Sequence, residues 1–160
     1  MGKVILVCGR VGSGKTTYAK RLADELGAVI ITQDEIMLGL FGSHFYDESP
    51  ELYEKYCNWV EEYVKKKAGE IAKSGGVVIC ENGYWPRSER DELKLYYTNM
   101  GVACELHYID TSDELRLKNI ESRNLKIKNG EIDFYVTTVE QTNHYFEIPD
   151  DDEIDVRVRN

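Results

Sequence analysis

The chain has 160 residues, 42% hydrophobic and 31% charged, a balance that supplies one compact domain with a core and leaves no room for two catalytic domains. Twenty-nine acidic against 20 basic residues give a net charge of −9, which excludes a grip on polyanions by a globally basic surface. No apolar run approaches the roughly 20 residues of a membrane-spanning helix, residues 4–8 are too short for a signal peptide, and Leu6 stands where a myristoylation signal needs Ser or Thr. The expectation is a cytoplasmic protein with no membrane partner.

Val4 to Cys8 is an unbroken β-branched and apolar run, the pattern of a strand buried on both faces, and predicts the central strand. From Thr16 to Leu26, apolar or small residues at 18, 19, 22, 23 and 26 keep a helical period that Gly27 ends. Ala28 to Thr32 predicts a second strand, followed by a helix from Asp34 or Glu35 to about Leu40, stopped by Gly42. Ser49-Pro50 opens a long helix to about Lys73. On its apolar spacing, Tyr53, Tyr56, Trp59 and Tyr63 read as core packing rather than a base-stacking platform.

Gly75-Gly76 leads into a third buried strand, Val77 to Cys80, with Glu81 at its carboxyl end. A helix from about Arg87 to Asn99, a strand from Val102 to Ile109 and a helix capped by Ser112 and reaching about Arg123 follow. After a mixed polar stretch, a helix from about Thr137 to Tyr145 and a last strand from Ile154 to Val158 complete the order. The alternation predicts an α/β fold: a doubly wound, parallel five-stranded sheet with helices on both faces, one domain over residues 1–160. Cys8, Cys57, Cys80 and Cys104 lack metal-ligand spacing and read as reduced, buried hydrophobes, so a divalent ion needs oxygen ligands.

Gly9-Arg10-Val11-Gly12-Ser13-Gly14-Lys15-Thr16 fits GxxxxGK[ST] at each fixed position, after a predicted strand and opening a predicted helix, as a P-loop NTPase requires. Glycines let successive backbone N–H groups turn inward as an anion nest at a helix N-terminus. Gly9, Gly12, Ser13, Gly14, Lys15, Thr16 and Thr17 are therefore candidate ATP-binding residues. Lys15 reaches toward the β and γ phosphates, Thr16 toward Mg²⁺, and Thr17 is a further phosphate contact.

Asp34 lies just beyond the second strand, at the sheet edge where doubly wound folds collect ligands, and is a candidate base for an attacking hydroxyl. It is also placed to be a helix N-cap. Val77 to Glu81 has the shape of a Walker B strand, which makes Glu81 a candidate Mg²⁺ residue alongside Thr16, directly or through water. Arg87 and Arg90, three apart, share a helix face and are able to approach an anionic substrate group, although Glu89, Asp91 and Glu92 offer them salt bridges instead. Arg116, Lys118, Arg123, Lys126 and Lys128 form a positive island against Glu121 alone. His44, His107 and His144 have no spacing that suggests a metal site or triad, and residues 150–153 read as a solvated acidic turn.

With these motifs the sequence resembles the small P-loop phosphotransferases that include polynucleotide 5′-kinases, chloramphenicol phosphotransferase and zeta-toxin-like kinases. Besides the P-loop, the likeness rests on Ile31-Thr32-Gln33-Asp34, Val78-Ile79-Cys80-Glu81 with Arg87 and Arg90, Leu117 to Asn124, and Phe146-Glu147-Ile148-Pro149. The resemblance implies Asp34 as catalytic base and a small helical lid over about 112–136, with Arg123 as a lid arginine and Asn119 where another often stands. It gives Arg87 and Arg90 a substrate-side role, and makes Lys15, Asp34 and Arg123 the catalytic set. The family usually has Asp in place of Glu81, which favours a water-mediated role here.

The function expected is ATP-dependent transfer of the γ-phosphate to a hydroxyl of a small molecule or nucleotide. Its acceptor is expected between the 41–63 segment and the strand ends, among Leu38, Phe41, Phe45, Tyr46, Tyr84 and Trp85. Two alternatives stand beside it: a 5′-hydroxyl polynucleotide kinase, and a regulatory ATPase without an acceptor. A nucleic-acid partner is disfavoured by the acidic balance and by Met37, where polynucleotide kinases carry an arginine three residues after the catalytic Asp. No [NT]KxD guanine motif is present.

Overall fold

The computed structural model describes residues 2–138 and 145–160. Strands β1 (Lys3–Cys8), β2 (Val29–Ile31), β3 (Val77–Gly83), β4 (Ala103–Asp110) and β5 (Val156–Arg159) form one sheet in the order β2-β3-β1-β4-β5, parallel throughout. The helices are α1 (Lys15–Leu26), α2 (Gln33–Phe41), α3 (Phe45–Glu48), α4 (Pro50–Lys73), α5 (Arg87–Asn99) and α6 (Asp113–Lys128).

The strand period of two divides β1 between two cores. Val4, Leu6 and Cys8 pack with Val64, Ala68 and Ala72 of α4 and Tyr97 of α5. Ile5 and Val7 face the other way, against Ala19 and Ala23 of α1. All five are fully buried, and burying such side chains is worth about 1.5–3 kcal/mol each. The continuous apolar run of β1 is thus the consequence of helices on both faces, and β1 is the central strand as its composition predicts.

Several boundaries differ from expectation. The short α3 was not foreseen. β3 runs on through Glu81 and Asn82 to Gly83, and α6 continues past Arg123 to Lys128, ending at Asn129 with Gly130 at φ +72°. On α4 the buried face is Val64, Ala68, Gly69 and Ala72, while Trp59 and Tyr63 are about 60% exposed. The expectation of packing is corrected for these two, whereas the half-buried Tyr53 and Tyr56 pack against Phe41 of α2 and Phe45 of α3. Cys8 and Cys80 are buried, Cys57 and Cys104 half-buried, and all four are free thiols. The helix expected from Thr137 to Tyr145 falls on residues 139–144, which lie outside the described residues, as does His144. No helix among the described residues is long and apolar enough to cross a membrane.

Candidate active site

The turn between β1 and α1 has its shape fixed by glycine. Gly12 and Gly14 adopt φ of +78° and +92°, a region open to glycine at little cost. A Cβ on Gly12 would also lie 2.7 Å from the Arg116 carbonyl oxygen, and one on Gly9 2.7 Å from Ser13 Oγ.

The carbonyls of this loop are held by the protein itself. Lys15 Nζ donates to the carbonyls of Gly9 and Arg10 at 3.0 and 3.2 Å. Arg116 Nε donates to Val11 O at 3.0 Å and Asn119 Nδ2 to Gly12 O at 2.8 Å. Ser13 O accepts from Thr111 Oγ1 at 2.8 Å and from Asn160 Nδ2 at 3.1 Å. With the carbonyl edge of the loop so occupied, and Ser13 N donating to Arg10 O at 3.1 Å, the remaining amides at the start of α1 are left for an anion. Burial lowers the Lys15 pKa, and the carboxylates of Glu81 and Asp34 oppose the shift.

Glu81 reaches this loop from the end of β3, where Thr16 Oγ1 donates to its Oε2 at 3.0 Å. The register of β1 on β3 shifts here: Leu6 pairs with Cys80 but Cys8 with Gly83, so β3 carries one extra residue. Such a bulge re-aims side chains, and the consecutive Glu81 and Asn82 both line the cleft. Burial raises the Glu81 carboxyl, while Lys15 and the Thr16 hydrogen bond pull it back down.

Asn82 then sets the position of α2. Its Oδ1 accepts from Gln33 N at 2.9 Å, while Thr32 Oγ1 accepts from Glu35 N at 3.0 Å as the N-cap. The cap is therefore Thr32 and not Asp34. Asp34, the second residue of the helix, lines the cleft, and its carboxylate makes no hydrogen bond among the described residues. Desolvation by the cleft walls raises its carboxyl pKa despite its exposed surface, and Lys15 and Arg123 lower it.

Arg123 comes from the opposite wall, on α6. Its guanidinium donates to Thr137 Oγ1 at 3.0 Å and lies 4.8 Å from the centre of the Phe134 ring. Its buried Nε has no partner among the described residues, and burial lowers its pKa against Asp34 and Glu81. The cleft that gathers these groups encloses about 990 Å³, at the upper end of the range for small-molecule sites. Thr17 lines it with Gly12, Gly14, Lys15 and Thr16, whereas Gly9 and the buried Ser13 shape the loop from behind.

Arg87 and Arg90 are not brought to this cleft. Arg90 is buried, with Nε and Nη2 on the two oxygens of Glu153 at 2.8 and 3.1 Å and Nη1 on the carbonyls of Tyr84, Trp85 and Glu147. Arg87 pairs with Asp150 and Asp152, each at 2.8 Å. Neither lines the cleft; both pair instead with the acidic turn at 150–153, in which Asp150, Asp151 and Asp152 are exposed as expected and Glu153 is buried. Arg116 and Asn119, from the expected lid, hold the P-loop from outside.

The walls beyond Asp34 come from α3, α4 and the segment after α6. Tyr135 packs edge-on against Tyr46 and Tyr53, at 6.0 and 5.7 Å between ring centres, and Ser43 Oγ hydrogen-bonds Asp133. Of the residues expected around the acceptor, Tyr46 and Trp85 line the cleft. Phe41 and Phe45 stack with each other and with Tyr56, and Tyr84 is buried in the core. Asn82, Thr111 and Tyr135 were missed. The available signal for Asn82 was a polar pair at the end of a buried strand; for Thr111 and Tyr135 the sequence carried none. His44 lines the cleft as well, and the buried His107 bonds Tyr18 Oη and Glu105 in the interior.

The family model described as AAA domain matches residues 4–149. Among solved structures, a sugar kinase from Janibacter sp. HTCC2649 superposes with a TM-score of 0.64 at 18% identity, over 99% of this chain and 86% of its own. The Mycobacterium tuberculosis APS kinase CysC, in complex with AMPPNP and APS, gives 0.65 at 19% identity, over 99% and 88%. A chain of the Pnkp1/Rnl/Hen1 RNA repair complex gives 0.61 at 18% identity, over 94% and 53%. At these identities the likeness establishes a P-loop kinase-like α/β fold. No protein of curated function matches the chain.

Proposed function

The chain belongs to the AAA domain family, and from that premise we propose that it is an ATP-dependent phosphotransferase acting on a hydroxyl of a small molecule. The observation that carries the reading is the convergence of Lys15, Thr16, Asp34, Glu81 and Arg123 on one cleft from four separate elements. A regulatory ATPase needs the P-loop and a metal residue. In such an ATPase the Asp34 carboxylate would orient a water instead of an acceptor hydroxyl, so acceptor dependence of turnover separates the two readings.

In the proposed reaction the nest at the start of α1 holds the polyphosphate. Lys15 exchanges the carbonyls of Gly9 and Arg10 for phosphate oxygens, and Arg123 turns its unpartnered Nε to the transferring group. The acceptor oxygen forms a bond to the γ-phosphorus as the bond from that phosphorus to the bridging oxygen breaks. ADP leaves with the electron pair. The hydroxyl proton goes to the Asp34 carboxylate and then to water, giving a phosphate monoester. The raised pKa of Asp34 suits it to this step, since a base is most effective with a pKa close to the working pH.

Thr16 Oγ1 and Glu81 supply two hard oxygens side by side, and no group of three or more His, Cys, Asp or Glu placed to hold a metal ion is present among the described residues. That set suits Mg²⁺, which takes few protein ligands and keeps water and phosphate oxygens. When bound it would neutralise charge on the phosphates. Thr16 would hold it, with Glu81 acting directly or through water.

The test is a coupled ADP-release screen over nucleosides, antibiotics, sugars, amino alcohols and 5′-hydroxyl oligonucleotides. Acceptor-dependent release is expected for a small alcohol, absent in Lys15→Ala and lowered about 10²- to 10⁴-fold in kcat in Asp34→Asn, whose nucleotide affinity by calorimetry is retained. Acceptor-free turnover that no acceptor raises would replace the kinase by the regulatory ATPase. Release with oligonucleotides alone would replace the small molecule by a nucleic-acid end.

A further inference from the structure

The cations of the cleft are few enough to be assigned one by one. Among the described residues, Lys15 and Arg123 are the lysine and arginine that line it, and residues 139–144 contain neither type. In the phosphotransferase reading, on which this inference rests, both are engaged by the ATP phosphates. The acceptor side then presents Asp34 and Asp47 with the aromatic side chains of Tyr46, Tyr53, Trp85 and Tyr135. His44, on the same wall, lies 4.0 Å from the Glu48 carboxylate.

Of the other cations that the sequence offers to an anionic acceptor, none lines the cleft. Arg87 and Arg90 are locked onto the acidic turn, Arg116 is buried under the P-loop, and the position three residues after Asp34 is the buried, uncharged Met37. An anionic acceptor would meet two carboxylates and the γ-phosphate with no lysine or arginine among the described residues left to offset their repulsion, which is the way a site rejects a wrong ligand. Anion sites instead present guanidinium or ammonium groups in fixed positions.

We infer that the acceptor is an alcohol without a phosphate, sulfate or carboxylate group, one that lays an apolar or ring face against Tyr46, Tyr53, Trp85 and Tyr135. It differs in this from the APS of the M. tuberculosis structure, an anion; that protein shares the fold at 19% identity, and a shared fold does not carry the acceptor's charge with it.

The experiment has two arms after a common first step, calorimetry with Mg²⁺ and AMPPNP. Failure of AMPPNP to bind removes the phosphotransferase reading itself. With AMPPNP bound, the protein is titrated with inorganic phosphate and sulfate while the Trp85 indole and Asn82 side-chain NMR signals are followed. No saturable shift is expected, and a saturable shift at these two residues overturns the inference. In the second arm, ADP release is compared within matched pairs, each an alcohol and its phosphorylated or carboxylated counterpart. At least a tenfold higher kcat/KM for the uncharged member is expected in any pair that reacts, and equal or reversed preference overturns the inference. Should no pair react, the phosphate titration decides.

Discussion

Glu81 stands where an aspartate would hold its carboxylate one methylene further from Thr16, and the bulge in β3 sets where the longer chain ends. Its oxygen lies 3.0 Å from Thr16 Oγ1, so the acid orients the hydroxyl proposed to hold Mg²⁺ whether or not it touches the ion. Groups that orient a metal ligand are commonly worth 10- to 100-fold in metal affinity. Glu81→Gln keeps the size and loses the charge. The Mg²⁺ concentration that half-saturates AMPPNP binding is therefore expected to rise by about 10-fold or more, with metal-free nucleotide binding little changed; calorimetry at stepped Mg²⁺ measures both. Asp34 was legible as a carboxylate at a strand end, but the sequence left it even with a helix cap. Thr32 resolves that, because a hydroxyl one residue outside the helix accepts the Glu35 amide, and nothing in the residue types decides between neighbours able to do so.

Among the elements, the turn from β3 to α5 is the most constrained. Gly83 has φ +89° and Tyr84, with a side chain, has φ +50°, a conformation costing on the order of 1–3 kcal/mol where the surroundings do not enforce it. Arg90 enforces it by bonding the Tyr84 and Trp85 carbonyls while its other edge meets Glu153. Removing one partner of a buried ion pair strands the other, at about 3–5 kcal/mol. Arg90→Met is thus expected to lower the melting temperature by roughly 10 °C, at 2–4 °C per kcal/mol for a domain of this size. Arg90→Met combined with Glu153→Leu is expected to recover only part of that loss, since no charge is then buried alone but the carbonyls of Tyr84, Trp85 and Glu147 still lack their donor. Thermal melts of the two variants check this, and Arg87→Ala, at an exposed pair, is expected to melt close to the parent. The helices themselves were readable wherever period and cap agreed, as in α4 with Pro at its first position. α3 was not, because four residues show no period.

For the whole molecule, the pH dependence of stability carries a contribution from outside the cleft. Burial, reinforced by the nearby Glu61 carboxylate, pushes the Glu89 carboxyl up to about 7. The folded state therefore holds this proton more tightly than the unfolded chain. The stabilisation is complete below the ordinary carboxylate range and is lost as pH rises toward and through about 7. Glu89→Gln removes that loss, so its melting temperature is expected to exceed the parent's by roughly 2–4 °C at pH 8 and to match it near pH 4. Equal gains at both pH values would show that Glu89 keeps its usual acidity.

The sequence by itself determined what contiguous residues can express. A strand, a glycine turn and a helix within 26 residues specify the P-loop, and the alternation of apolar runs with helical periods specifies a parallel α/β sheet. Tertiary structure alone decided which distant groups meet. Arg90 finds Glu153 63 residues away, the carbonyls of the P-loop are held by Thr111, Arg116, Asn119 and Asn160, and Asn82 joins β3 to α2. The physical reason is that each parallel crossover returns the chain to the same sheet edge from a different place in the sequence. An arginine among acids reads alike whether it faces a ligand or a buried glutamate, and only the packing that brings one of them within hydrogen-bonding distance assigns its charge.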